Sequence, residues 1–188
     1  MISADKNRIP YTGPVSRRLV FKHTIEGLFT RAYGAQVTPA LKEEFRRLGL
    51  EGAAVEAEAF GKAFVLLRDA VHPGIEPNVA ERQMGERFLA GYFETAIGGL
   101  VKMMLKLLPV EKAVMRVPQS LMSGANFIEA RVEKQGERQY RLTMSDFSTS
   151  PDFLCGIVSQ MITRTGGIPE VKIIEQNGRA LVMAVSWK

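Results

Sequence analysis

Apolar residues along this chain recur mostly at spacings of three and four until about Pro109, and beyond it they begin to alternate. The first spacing belongs to helices with one buried face, the second to strands. Leu19 to Lys22 reads as a short strand, and Ile25, Leu28, Phe29 and Ala32 then share a face that predicts a helix from Thr24 through Tyr33, ended by Gly34. Thr38-Pro39 starts the next helix, because threonine accepts hydrogen bonds from unpaired amides and proline suits the first helical position. Leu41, Phe45 and Leu48 form its stripe and Gly49 its stop. A third helix is expected over Glu56 to Val71, with Phe60, Phe64 and Leu67 on one side and His72-Pro73-Gly74 after it. Asn78 and Glu81 have the spacing of a capping box. They open the longest helical pattern, which runs to about Leu108. Met84, Phe88 and Tyr92 make one apolar line of it; Leu89, Phe93, Ile97, Leu100, Met104 and Leu108 make a second. So wide a face suits a central helix packed on more than one side. Gly85, Gly91, Gly98 and Gly99 interrupt it. Each costs about 1 kcal/mol against alanine, and glycines kept at that cost mark a close backbone approach or a bend.

Past Pro109, Ala113 to Val117 reads as a strand, followed by Phe127 to Glu133 with Ile128, Ala130 and Val132 on one face. Tyr140, Leu142 and Met144 alternate again after a turn at Gln135-Gly136. Ser150-Pro151 starts a late helix with Phe153, Leu154, Ile157, Val158, Met161 and Ile162 inside, and Gly166-Gly167 stops it. Val171 to Glu175 and Ala180 to Trp187 flank Asn177-Gly178, whose tolerance of positive φ makes a strong hairpin signal. The order predicts an α+β fold: N-terminal helices packed on a four- to five-stranded antiparallel sheet that carries one late helix. Residues 1–18, polar and broken by Pro10, Gly13 and Pro14, read as a flexible arm, and residues 19–188 as a single domain.

Composition narrows the classes. With 188 residues, 46% hydrophobic and 24% charged, the chain can bury an ordinary globular core. Cys155 is its one cysteine, so an internal disulfide and a cysteine-rich zinc site are excluded. A lone thiol and the lack of a signal-peptide pattern give a cytoplasmic expectation. The greasiest stretch, Thr95 to Leu108, is interrupted by Lys102 and Lys106. A spanning helix needs about 20 apolar residues, so no transmembrane segment is expected. The net charge is +5, but the basic residues are scattered, densest at Arg17, Arg18 and Lys22 and at Arg46-Arg47. That is a solvated surface rather than a nucleic-acid footprint.

Several fragments together carry a resemblance. Val20-Phe21 with Thr24-Ile25-Glu26-Gly27-Leu28-Phe29, then Thr38-Pro39-Ala40-Leu41 and Gly49-Leu50, resemble an uncharacterised paralogous family from myxobacteria. Gly85-Glu86-Arg87-Phe88, Gly91-Tyr92, Thr95, Arg116-Val117-Pro118, Gly124, Asn126-Phe127 and Ser186-Trp187 continue the pattern in order. The resemblance implies a distant link to the ligand-binding fold of haem–nitric-oxide sensor, 4-vinyl reductase and Golgi transport-particle domains, and with it a homodimer.

Chemistry is sparse. Haem ligation commonly needs histidine; only His23 and His72 occur, and the tyrosine–serine–arginine motif of haem sensors is absent from Tyr140-Arg141-Leu142. No cofactor is therefore expected, haem included. Cys155 lies near a helix start, where a thiol can be activated, yet Leu154 and Ile157 flank it. No serine elbow, phosphate loop or metal-ligand spacing occurs, so no catalytic residues are named. Tyr92, Met103, Met104 and Cys155 are candidates for lining a small apolar ligand's cavity. Leu121 and Met122, in an expected loop from Pro118 to Gly124, are candidates for a protein contact. The expected function is a non-enzymatic regulatory or sensory module for a small apolar molecule or a protein partner. A tetrapyrrole-related enzyme of the vinyl-reductase type and a membrane-surface adaptor using Lys102 and Lys106 are the alternatives.

Overall fold

The structure, a computed structural model, describes residues 17–188, so the arm expected at the N-terminus falls outside it except for Arg17 and Arg18. Those two are tied down. Arg17 pairs with Glu56, and Arg18 makes a two-pronged bond to Asp146, both prongs 2.8 Å, while donating to Glu58. The next strand, β1 (Leu19–Phe21), pairs antiparallel with β2 (Ala54–Glu56), which the apolar pattern did not reveal.

The chain then turns into α1 (Lys22–Ile25), which widens into a π-helical stretch, Glu26–Ala32. Helix α2 (Pro39–Arg47) begins as expected, with the Thr38 hydroxyl accepting from the Leu41 amide, and Gly49 ends it at φ +79°. Helix α3 (Ala57–Val71) buries Phe60, Phe64 and Leu67.

The expected long helix is two. Helix α4 (Pro77–Tyr92) and helix α5 (Ala96–Leu105) meet at 98°. At the corner, the Thr95 amide and hydroxyl both donate to the Tyr92 carbonyl, and the same hydroxyl accepts from Gly98 N at 3.0 Å. A Cβ on Gly98 would overlap the Tyr92 carbonyl, so that glycine marks the bend. The start also differs. Pro77 occupies the first turn, which puts Asn78 inside the helix, so no capping box forms. Glu81 instead turns inward and pairs with Arg68 at 2.6 Å.

A second correction concerns Ala113 to Val117. This segment is helical, inside α6 (Val110–Met122), where Ala113, Val114 and Val117 take the buried side at helical spacing. The loop expected after Pro118 is the last turn of that helix, and Leu121 and Met122 are half-buried against the core.

The remaining strands form one antiparallel sheet in the order β3-β4-β6-β5: β3 (Ala130–Gly136), β4 (Gln139–Met144), β5 (Pro169–Asn177) and β6 (Ala180–Trp187). Tyr140, Leu142 and Met144 face Val185, Met183 and Leu181 across the central pair, all six buried. The β3–β4 turn centres on Arg138 at φ +55° rather than on Gly136. The β5–β6 turn uses Gly178 at φ +58°. Helix α7 (Pro151–Arg164), capped by the Ser150 hydroxyl, lies between the sheet and α4. Gly85 of α4 and Gly156 of α7 meet, and a Cβ on either would overlap the other helix's backbone carbonyl. The α+β expectation holds, with four strands in the main sheet and a separate strand pair at the N-terminal end.

Candidate functional site

Between the N-terminal helices, α4, α6 and α7 lies an apolar cavity of about 80 Å³. Phe60, Phe88, Phe153, Ile157 and Met161 supply much of its wall, and α5 contributes Val101. Ser120 and Leu121 of α6 and Ser148-Thr149 before α7 complete it. The aromatic rings are locked edge to face: Phe64 against Phe153 at 5.0 Å and Phe29 against Phe60 at 5.6 Å. Such packing holds the walls in one geometry.

Tyr92, the last residue of α4, lines this cavity, and only about 6% of it is exposed. Its hydroxyl is buried and has no hydrogen-bond partner among the described residues. The Nε2 of His23 is in the same condition, and the two rings lie 5.9 Å apart. Burial pushes the Tyr92 phenol above its ordinary range, partly offset by the neighbouring Ser123 hydroxyl, which makes its own hydrogen bond to the Ser120 carbonyl at 2.8 Å and none of good geometry to Tyr92. It pushes the His23 imidazole below its own, against the pull of the Ser123 backbone. Both groups are therefore neutral at neutral pH.

The other sequence candidates fall elsewhere. Met103 and Met104 sit on the outer face of α5, 61% and 44% exposed, and do not touch the cavity. The helix break turns Met104 outward from the line that the sequence pattern drew through Leu89 and Phe93, which are buried. Cys155 is fully buried behind the wall, its thiol 3.5 Å from Met183 Sδ. Burial raises that thiol to about 11, which leaves it protonated and unreactive. Leu121 lines the cavity and Met122 packs on the core, so neither stands out on a loop. In the sequence His23 suggests only an iron ligand, and its proximity to Tyr92, about 70 positions away, leaves no local signal. A second cluster joins the buried Tyr33 to the half-buried His72 through a 3.3 Å contact, with the guanidinium of the exposed Arg87 4.4 Å above the Tyr33 ring. It lies outside the cavity wall.

A family described as a protein of unknown function, DUF2378, has a profile that matches residues 18–188. The chain belongs to that family. Among curated proteins, no sequence matches it significantly. Solved structures do share its fold. An oxygen-binding H-NOX domain related to soluble guanylate cyclases superposes with a TM-score of 0.61 at 11% identity, covering 88% of this chain and 92% of that one. A Cs H-NOX carrying 4-cyano-L-phenylalanine gives 0.66 at 11% identity, over 89% and 96%. A structure concerned with haem redox potential and porphyrin distortion gives 0.62 at 12% identity, over 88% and 92%. The fold is thus that of H-NOX domains. The expectation that no cofactor, haem included, belongs with this chain is corrected by these neighbours: the frame it folds into is one that carries haem elsewhere. The histidine count misled because it tested for one ligand in one motif, while the fold is set by packing that 11–12% identity leaves intact.

Proposed function

We propose that the protein is a sensory module that takes an apolar ligand into the cavity beside α4, with the Tyr92 hydroxyl as its polar anchor. One observation carries this: Tyr92, which lines a mostly apolar cavity, has a buried hydroxyl with no hydrogen-bond partner among the described residues. Leaving such a group unpaired costs about 1–3 kcal/mol. A ligand that accepts or donates a hydrogen bond there recovers that energy and is oriented by it. The H-NOX-like fold supports a sensory role, because one neighbour built on the same frame is an oxygen-binding domain related to soluble guanylate cyclases.

Haem is the first ligand to test. The donors fit in kind: a tyrosine phenolate is one of the side chains that hold haem iron, and imidazole is another. Tyr92 is the one such donor that lines the cavity and would hold the group, which would supply an iron centre for binding a diatomic gas; His23, 5.9 Å from the Tyr92 ring, is not part of the cavity wall. The space is a constraint. Pockets for ligands of drug size run to about 300–1,000 Å³, several times the present cavity, so a macrocycle needs the wall to open. The thinly packed α5 side is where it can.

The experiment is titration of the purified chain with haemin, read by its visible spectrum, and with small apolar probes such as indole, read by calorimetry. Native mass spectrometry of fresh protein runs in parallel. Saturable binding of one of these is expected, with Tyr92→Phe weakening it about tenfold. Absence of saturable binding by every ligand, together with a clean polypeptide mass, would refute the proposal.

A further inference from the structure

Helix α5 and the turn after it carry an apolar surface that the other described residues do not cover. Ile97, Leu100, Met103, Met104 and Leu107 are all exposed, Leu107 to 86%. At about 100° per residue they fall on one outward stripe, opposite the inward Gly98 and Leu105. Contiguous exposed apolar surface of this kind marks a contact with something else.

Charge identifies what. Between Ala96 and Met122 stand Lys102, Lys106, Lys112 and Arg116, against the single acid Glu111. Glu111 is already engaged by Lys134 and Tyr140. On the same wheel Lys106 stands about 60° beyond the Met103 edge of the stripe and Lys102 about 100° beyond it, while the Arg116 guanidinium lies 3.5 Å from Met104 Sδ, so exposed basic groups border the greasy surface. A second copy docked face to face would bring two such cationic rims together, which opposes association. An acidic, deformable, apolar partner satisfies both features at once.

We propose that α5 lies on the surface of an anionic lipid bilayer, its apolar stripe sunk at the level of the headgroups and its lysines among the lipid phosphates. The helix's 10 residues make an in-plane anchor about 15 Å long. Helices that bind in this way bury an apolar face about 5–10 Å deep beneath a Lys-rich polar one. The methionines suit a disordered lipid boundary, because their side chains adapt to irregular surroundings. The 98° corner at Thr95 sets α5 off from the axis of α4, so the anchor presents itself without unfolding the core.

The test is flotation of the full chain with phosphatidylcholine vesicles, with and without phosphatidylglycerol. Binding is expected with the anionic vesicles and not with the neutral ones, and it should be lost at about 1 M salt, where charges are screened within about 3 Å. Lys102→Gln and Lys106→Gln should each weaken it about fivefold. Leu100→Asp with Met103→Asp should abolish it, and since both residues are exposed, the circular dichroism of that variant should match the parent. No flotation with anionic vesicles, or equal flotation with neutral ones, overturns the proposal. So does a dimer by light scattering that Leu100→Asp with Met103→Asp disperses while vesicles are ignored.

Discussion

Cys155 shows how far a side chain's surroundings outweigh its identity. The thiol stands near the start of α7, where a helix N-terminus favours a thiolate, but it is sealed from water and raised to about 11. Iodoacetamide at mildly alkaline pH should leave the folded protein unmodified and alkylate it only in denaturant, as mass spectrometry would record. Rapid native labelling would mean that α7 opens readily. The two histidines give the opposite sign of argument. Burial depresses both His23 and His72, and Arg87 depresses His72 further. The unfolded chain therefore takes up these protons first as pH falls. Their contribution to stability is complete above about pH 6.5 and is lost as pH drops through the lower folded values. The thermal midpoint should fall between about pH 7 and pH 5, and a variant with His23→Gln and His72→Gln should flatten that slope. Tyr33, whose phenol is pushed up to about 12 by burial, titrates too high to contribute there.

At the scale of elements, the glycines carry the sharpest prediction. Gly85 and Gly156 let α4 and α7 touch backbone to backbone. Gly85→Ala should cost about 3 kcal/mol or more in chemical denaturation, because the new methyl meets a carbonyl that cannot move without its helix. Gly49→Ala, in open space at φ +79°, should cost only about 1–2 kcal/mol, the strain of a left-handed alanine. Equal costs would show that the helix contact is looser than drawn. Gly85 was legible in the sequence as a site of close approach or a bend and Gly49 as a helix stop, as were the Thr38 and Ser150 caps and the Asn177-Gly178 hairpin, because each is a local signal; Gly156, inside an apolar helical run, was not. What escaped was decided by tertiary packing. Ala113 to Val117 looks like a strand when read alone, since so short an apolar run fits either period. Packing of Ala113, Val114 and Val117 against the core makes it a helix. The Thr95 corner escaped because apolar residues continue at helical spacing across it. Only the side chain's hydrogen bonds to Tyr92 and Gly98 reveal the turn. Tyr92 was legible as a candidate; its neighbour His23 was not, since nothing short of the fold brings the two rings within 5.9 Å.

Across the whole molecule, stability is unevenly shared, and the unevenness coincides with the cavity. Helix α7 buries nine of its 14 residues and α4 eight of its 16, whereas α5 buries two of its 10, one of them a glycine. Local opening free energy follows buried contact, so segments with few buried apolar groups open far below the global unfolding cost. Amides of α5 should therefore exchange with solvent at least about thirtyfold faster than those of α7, a gap of about 2 kcal/mol. Exchange followed by mass spectrometry on peptides from this region measures it directly. Val101 ties the same helix to the cavity wall, so a ligand that fills the cavity gives α5 new buried contact. Occupancy should slow exchange in α5 while leaving α7, already near the global limit, unchanged. A slowing confined to α7, or none in α5 on saturation, would place the ligand elsewhere and separate the anchor helix from the cavity. Slowing in α5 alone would make that helix the part of the fold whose order reports occupancy, and the part that a sensor would expose to its surroundings.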